Sequence, residues 1–328
     1  MRKLSLLTIF LLLLFFASAC QTTTPRYDVY VTVYPMQYLV ERIGGDTVTV
    51  GIVPGVSTHQ ESVDWSPKDI IAMTEASLLF YVGANYDSYI DLQIDAVFSE
   101  ANVELVKVET ALDGAGDLYI EFIPGIVHDH DHEIETNPLV TETPTLGLDP
   151  HFWMSPRQII KASRLVYDRL IHAYPENATF YLDNYERLYE DLVDLDQAID
   201  DVISAQTKAM MTATNLFGYL HEDYGLESMS ISPGYHEETE QFTTQEKEEI
   251  VAEAILHDIT FIVYEKNKTS PLSNAVFASL LDLGVLAVKL EYYVLETLYL
   301  VDHEAGNDYL SIMYDNIALL EVATSTAS

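Results

Sequence analysis

Short apolar runs alternate with amphipathic stretches along most of the chain. Strands are predicted in the first part at 27–33, 47–53, 78–82 and 103–108, and in the last part at 208–213, 227–231, 259–264 and 285–290. Helical periodicity fills most of the intervals between them. Short apolar strands that alternate with amphipathic helices are typical of parallel sheets flanked by helices. The pattern predicts an α/β protein of two lobes, residues 27–155 and 206–328.

The stretch between these lobes, residues 156–205, is helical in pattern throughout. After Pro175, apolar side chains recur at alternating spacings of four and three, which places them on one helical face: they are Tyr181, Tyr185, Leu188, Leu192, Leu195, Ile199 and Val202. A helix over 176–204 would be roughly 45 Å long. Because that exceeds one small lobe, we expect a connector packed along both lobes rather than a coiled-coil seam.

The N-terminus has the layout of a bacterial lipoprotein signal peptide. Arg2 and Lys3 precede the apolar run 4–16, which ends at Ala17-Ser18-Ala19-Cys20. The run is short for a membrane span. We interpret 1–20 as the signal peptide, Cys20 as a lipid anchor and 21–26 as a tether, which predicts an extracytoplasmic protein held at the membrane. Ordinary secretion with cleavage near Ala19 is the alternative.

The chain is strongly acidic. Its 328 residues have a formal net charge of −36, and the segment 1–20 contains two basic residues and no acidic ones. Such a field repels nucleic acid and anionic lipid and concentrates cations. Nucleic-acid binding is therefore excluded, although solubility alone would also explain the charge.

Two histidines precede helix-start signals of the same kind. His59 comes before Ser66-Pro67, and His151 comes before Ser155-Pro156. Serine caps free amides and proline tolerates the first helical position. Two loop imidazoles that lead into helices suggest a shared metal site, or else two unrelated loop residues.

The second lobe offers further candidates where its strands end, since ligands bind beyond the carboxyl ends of parallel strands. Those positions are Thr214, the loop Ser232–His236, Glu265 and Glu291. Imidazole and carboxylate without thiolate suit Zn²⁺ or Mn²⁺. A site between the lobes could therefore combine His59, His151 and Glu291.

Residues 109–148 show little periodicity and include Val127-His128-Asp129-His130-Asp131-His132-Glu133. A loop of this length is usually functional or disordered. Its alternating imidazoles and carboxylates suit loose capture of zinc through His128, His130 and His132. A solvated polar loop is the alternative.

Taken together, these motifs resemble the zinc/manganese cluster of solute-binding proteins that serve ABC importers. The matching strings, in the family's order, are Val31-Thr32-Val33-Tyr34-Pro35, Ile43-Gly44-Gly45-Asp46, Pro54-Gly55-Val56-Ser57-Thr58-His59, Ser66-Pro67-Lys68-Asp69-Ile70, Asp149-Pro150-His151-Phe152-Trp153-Met154-Ser155-Pro156, Phe217-Gly218-Tyr219 and Asp308-Tyr309-Leu310-Ser311-Ile312-Met313. The resemblance implies two α/β lobes joined by a long helix, with one divalent metal ion in the cleft between them. It also implies that the protein is a monomer and that its partners are a permease and the ATPase of that permease.

The resemblance also implies a ligand set. His59 and His151 match the family's two histidines, and Glu291 falls where an aspartate is usual. Thr214 departs from the pattern, because it stands where the family has histidine in zinc receptors or glutamate in manganese receptors. We hypothesise that His236 supplies the missing nitrogen. A water could instead fill the fourth position. His221 is less favoured, because it lies seven residues past Thr214, about two helical turns or roughly 10 Å away. With the His-Asp loop, zinc is favoured over manganese.

Two other classes of function compete with a metal receptor. A zinc hydrolase would need an open coordination position and a general base, for which Glu265 could be imagined, but the sequence has no His-Glu-x-x-His string. We therefore expect no enzymatic activity. A surface adhesin or metal buffer would fit the anchor and the His-Asp loop, and neighbouring importer genes would distinguish it from a receptor.

Overall fold

The computed structural model describes residues 25–55, 62–113, 148–232, 234 and 243–325. Within them lie two four-stranded sheets, both fully parallel. The first has the order β2-β1-β3-β4, with β1 (Val29–Val31), β2 (Val50–Ile52), β3 (Leu78–Tyr81) and β4 (Glu104–Lys107). The second has the order β6-β5-β7-β8, with β5 (Met210–Thr212), β6 (Ser228–Ser230), β7 (Phe261–Glu265) and β8 (Val288–Tyr292). The predicted two-lobed α/β fold is confirmed.

Helices cover the sheets and connect the lobes. They are α1 (Tyr34–Gly44), α2 (Pro67–Thr74), α3 (Ser88–Asp91), α4 (Val108–Asp113), α5 (Pro156–Ala173), α6 (Ala178–Ser204), α7 (Gly218–Tyr224), α8 (Thr244–Leu256), α9 (Pro271–Asp282), α10 (Leu300–Glu304) and α11 (Tyr309–Thr324). At the start of α2, the Ser66 side chain accepts from the Asp69 amide while Asp69 accepts from the Ser66 amide. This capping box and Pro67 explain why the Ser-Pro signal begins a helix.

The connector predicted from one apolar stripe is a real single helix, α6, of 27 residues. Its buried side chains include Leu188, Leu192 and Leu195, as the spacing predicted. The helix packs against α1 of the first lobe, against α5 of the connecting stretch and against α11 of the second lobe. One continuous buried cluster joins Ile43 of α1 to Ile317 of α11 through these leucines. The two lobes therefore share a core.

Each lobe also has a smaller buried cluster of its own. In the first lobe it surrounds Met73 and Leu79, and in the second it surrounds Ile262 and Val276. The sheets are therefore covered on both faces, as an all-parallel sheet requires.

Two predicted elements differ in the structure, and one short helix was not predicted. The interval between β3 and β4, which helical periodicity was expected to fill, is divided into α3 and a short π-helix, Ile94–Phe98. The strand predicted at 285–290 lies later, at β8, because Val288 pairs with Phe261 of β7. The short helix α10 has no counterpart in the apolar pattern. Among the described helices, none is both long and apolar enough to cross a membrane.

Candidate metal centre

His151 lies on the segment that enters α5, immediately before a 3₁₀ turn, Phe152–Met154. The histidine is fully buried, as are all three residues of the turn. Ser155 and Pro156 then begin α5. The Asp-Pro-His segment is therefore fixed in the interior instead of forming an exposed loop.

Asp149 fixes the orientation of the His151 ring. One of its carboxylate oxygens, Oδ1, lies 2.8 Å from His151 Nδ1 and also accepts from the His151 backbone amide at 2.9 Å. Because a carboxylate accepts, Nδ1 carries the proton in this contact. The other ring nitrogen, Nε2, is thereby left as the atom that can bind a metal ion.

A second carboxylate faces that nitrogen. Glu296 Oε1 lies 3.4 Å from His151 Nε2, and the Glu296 residue is only 7% exposed. Glu296 belongs to the segment that follows β8, beyond the carboxyl end of the second sheet. Its backbone carbonyl accepts from the amide of Tyr34, the first residue of α1. Glu296 is thus held between the two lobes.

The two carboxylates control the charge of the imidazole. Burial lowers the pKa of His151, but the interactions with Asp149 and Glu296 outweigh it and raise the pKa to about 9. Nearby, burial raises the pKa of Glu265 to about 7, with Lys268 opposing the shift and Glu296 adding to it. The His151 imidazole therefore holds a positive charge more strongly than a free histidine does.

Two aromatic rings enclose the imidazole. The His151 ring centre lies 5.3 Å from that of Trp153 and 6.4 Å from that of Tyr86. Tyr86 is carried by the turn after β3, which Asp87 closes by accepting from the amides of Val82 and Gly83. Asp87 also accepts from the Thr32 hydroxyl at 2.7 Å. This turn holds Tyr86 against the imidazole.

Buried hydrogen bonds tie the histidine segment to the second lobe. Trp153, two residues after His151, donates through Nε1 to the carbonyl of Val294 at 2.8 Å. Val294 in turn lies two residues before Glu296. Tyr219 of α7 donates to the Asp149 carbonyl, and Tyr309 of α11 donates to the Trp153 carbonyl, both at 2.7 Å. The imidazole and the carboxylate are therefore positioned by one hydrogen-bonded unit.

The structure does not bring Glu291 to this centre. Glu291 lies inside β8, paired in register with Tyr264, and its side chain is exposed. The sequence-based choice assumed that the strand ended at residue 290, and the strand in fact continues to Tyr292. The carboxylate beyond its end is Glu296, which the sequence analysis missed. Its one signal was an acidic residue directly after the apolar run 292–295.

The other candidates have different outcomes. Thr214 is buried beyond the carboxyl end of β5, on the expected edge of the sheet. His221 lies on α7, where its Nδ1 donates to the Leu226 carbonyl at 3.0 Å. Six of the predicted functional residues lie outside the described residues: Cys20, His59, His128, His130, His132 and His236. Within the described part of the chain, no three metal-binding side chains converge on one point, so the candidate pair of His151 and Glu296 is at most a half-site.

Comparisons with known proteins agree on one family. The model of the family described as zinc-uptake complex component A, periplasmic (ZnuA), matches residues 29–323. The zinc-binding protein AdcA of Streptococcus pyogenes serotype M3 is 28% identical over 341 residues, which cover 100% of this chain and 62% of that protein. The zinc-binding lipoprotein AdcA of Streptococcus pneumoniae R6 is also 28% identical, over 99% of this chain and 61% of that protein.

A solved structure shows the same fold. The crystal structure of Zn(II)-bound AdcA from Streptococcus pneumoniae matches with a TM-score of 0.67 and 24% identity, over 92% of this chain and 58% of that one. The present chain spans about three fifths of the length of these relatives. The family model covers nearly all of the chain after its first 28 residues, and the two-lobed parallel fold agrees with it. The chain therefore belongs to the ZnuA family of solute-binding proteins.

Proposed function

We propose that this protein is an extracytoplasmic receptor that captures Zn²⁺ between its lobes and passes it to an ABC importer. His151 Nε2 and Glu296 Oε1 are two of the ligands. His59 and His236 are the residues we assign to the remaining positions, with water as the alternative to His236. In this assignment Glu296 takes the place first given to Glu291.

One observation carries the proposal, the 3.4 Å separation between His151 Nε2 and Glu296 Oε1. Zinc binds imidazole nitrogen and carboxylate oxygen at about 2.0–2.2 Å in a tetrahedron, so two such ligands lie about 3.3–3.5 Å apart. The pair is thus spaced to share a cation with little movement.

The chemistry around the pair also favours a cation held in the interior. The Asp149 carboxylate behind the imidazole orients it and increases its basicity, as carboxylates that hydrogen-bond a zinc-binding histidine do in zinc sites. Trp153 and Tyr86 pack against the ring, and the histidine is fully buried away from water. Imidazole with carboxylate suits Zn²⁺ more than Mn²⁺, which prefers oxygen ligands. The names of the AdcA relatives, zinc-binding protein and zinc-binding lipoprotein, point the same way.

The partners follow from the family and the N-terminus. Proteins of this family work with ABC importers, so we assign a permease and its ATPase as the partners of this chain. We assign Cys20 as the lipidated residue that holds the receptor at the outer face of the cell membrane. The His-Asp loop, with His128, His130 and His132, is assigned to loose capture of zinc.

The ligand assignment is tested by comparing two glutamates five residues apart. Glu296→Gln removes the buried carboxylate that faces His151, and Glu291→Gln makes the same chemical change on the exposed face of β8. We expect Glu296→Gln to weaken zinc binding at least about tenfold in a competitive titration with a chelating dye, which corresponds to about 1.4 kcal/mol. Glu291→Gln should leave the dissociation constant within about twofold of the wild type.

The identity of the metal is tested on the purified protein. Elemental analysis should find zinc retained in preference to manganese, and Zn²⁺ should displace Mn²⁺ in competition. Preferential retention of manganese would contradict the zinc assignment. A loss of affinity in Glu291→Gln, with Glu296→Gln unaffected, would instead overturn the ligand assignment.

A further inference from the structure

A cavity of about 740 Å³ lies beside Glu296, on the boundary between the lobes. One wall is α1, through Tyr34, Tyr38 and Glu41, and the opposite wall is the segment 296–308. Its volume is in the range of ligand-binding clefts, about 300–1,000 Å³. It is far larger than a bare zinc ion requires.

The cavity runs from the surface to the buried half-site. Glu41, Leu300 and His303 line it and are exposed, whereas Tyr86 and Glu296 line it and are buried. Glu296 is thus the link between the two features, because its carboxylate faces His151 at 3.4 Å and the residue also lines the cavity. The inner end of the cavity is therefore next to the half-site.

The charges along the cavity favour a cation. Glu41, Glu296 and Asp308 contribute three carboxylates to its lining. The guanidinium in the lining, Arg42, lies 2.5 Å from the carboxylate of Asp191 and also donates to the Tyr38 hydroxyl. Its positive charge is therefore countered from outside the cavity. Carboxylates in a cleft with low-dielectric walls raise the local concentration of cations.

We propose that this cavity is the passage through which Zn²⁺ reaches and leaves the half-site formed by His151 and Glu296. Glu41 and Asp308 attract the ion toward the interior, and Glu296 is the first ligand it meets there. The proposal rests on the zinc-binding function proposed above. It adds the route of the ion and two residues that act on the rate of binding.

A passage residue and a ligand have different kinetic signatures. Loss of a ligand weakens the equilibrium affinity, mainly through faster dissociation. Obstruction of the passage slows association and dissociation by the same factor, because the bound and free states are unchanged. The two rates therefore separate the passage from the ligand assignment, and the dissociation constant from the same data tests the proposed function independently.

The obstruction test is Leu300→Trp, which adds bulk at the exposed mouth. The matched control is Leu286→Trp, at a leucine that is 85% exposed and outside the cavity lining. Association is followed by stopped flow with a fluorescent zinc indicator, and dissociation by transfer of the ion to a chelator. We expect both rates to fall at least about threefold in Leu300→Trp, while its dissociation constant stays within about twofold. The control should match the wild type.

The charge test is the double variant Glu41→Gln, Asp308→Asn. Asparagine keeps the cap of α11, in which the Asp308 side chain accepts from the Ser311 amide. The control removes two exposed acids of α6, with Glu186→Gln and Glu190→Gln. Association should slow in the first variant at low ionic strength by about twofold or more, beyond the change in the control, and this difference should vanish at high salt.

Unchanged rates in Leu300→Trp would overturn the passage, even if the protein binds zinc as proposed. An association rate that falls equally in the two charge variants would overturn the role of Glu41 and Asp308. If the wild-type protein shows no zinc binding in these measurements, the proposed function itself is wrong.

Discussion

Asp149 determines which nitrogen His151 can offer to a metal ion. Its Oδ1 contacts both Nδ1 and the backbone amide of the histidine, so the ring orientation and the tautomer depend on one buried carboxylate. We predict that Asp149→Asn weakens zinc affinity by about 10- to 100-fold, the usual cost of losing an outer-shell partner. The measurement is a competitive titration, with Asp194→Asn on the exposed face of α6 as the control.

The same variant should keep the fold, because asparagine still accepts one hydrogen bond. Unchanged secondary structure by circular dichroism, together with weakened affinity, would identify a positioning role. An affinity within about twofold of the wild type would exclude that role for Asp149.

Asp87 should make the free energy of unfolding of the metal-free protein depend on pH. Burial raises the pKa of its carboxyl from 3.8 to about 6, in spite of hydrogen bonds from Thr32, Val82 and Gly83. The folded state therefore holds the proton of the Asp87 carboxyl more tightly than the unfolded chain does. The stabilisation of the fold by this bound proton is complete below pH 3.8 and is lost as the pH rises through 6. The shift corresponds to a loss of about 2–3 kcal/mol.

Asp87→Asn tests this assignment, because its side chain does not titrate. We expect the variant to be less stable than the wild type near pH 5, since its amide cannot accept all the hydrogen bonds of the carboxyl. The difference in free energy of unfolding should then shrink by about 1.4 kcal/mol at pH 8, the part of the effect that is still present at pH 5. Urea denaturation at the two pH values measures it, and a constant difference would contradict the raised pKa.

At the scale of residues, the sequence identified the histidine better than its acidic partner. His151 is marked by the local Asp-Pro-His-x-Trp-x-Ser-Pro string, which the structure places as one buried unit. Glu296 has no such local mark, because the contact with His151 joins residues 145 positions apart. The choice of Glu291 followed from a strand boundary, and a boundary is the least certain feature of a sequence pattern.

The elements were predictable wherever a strong local signal coincided with packing. The Ser-Pro pair and the capping residues predicted the start of α2. The apolar stripe predicted α6, because side chains buried on one face of a helix recur at helical spacing. β8 was misplaced because its side chains are largely exposed, so the apolar pattern carried little information. Pairing with β7 sets its position instead. α10 has only five residues, too few for a periodic signal.

α6 is the element on which both lobes depend, and Leu192 tests this. Its side chain is fully buried in the cluster shared by α1, α5 and α11. Leu192→Ala should lower the free energy of unfolding by about 2–5 kcal/mol. The neighbouring Val193 is 39% exposed, so Val193→Ala should change it by no more than about 0.5 kcal/mol.

The unfolding curves carry a second expectation for the same variants. Because the shared cluster is continuous, wild type and Leu192→Ala should each unfold in one transition, detected equally by fluorescence and circular dichroism. Two separate transitions, with one unaffected by Leu192→Ala, would mean that a lobe is stable without the connector.

At the scale of the whole molecule, the shared core limits how far the lobes can move. A wide opening of the cleft would separate α6 from helices of one lobe and expose side chains that are now fully buried, including Leu192 and Ile199. Close-packed interiors resist such separation and permit small sliding movements. The buried bonds from Tyr219 and Tyr309 to the His151 segment add to this constraint. Zinc binding should therefore tilt the lobes only slightly.

Small-angle X-ray scattering of the metal-free and zinc-loaded protein tests this limit. For a compact chain of 328 residues the radius of gyration is about 20 Å, and we expect zinc to change it by less than about 1 Å. Mg²⁺ at the same concentration is the control for ionic effects on so acidic a protein. A decrease of several ångströms on zinc binding would require the α6 interface to open in the metal-free state. It would therefore contradict the shared core as the constraint on the cleft.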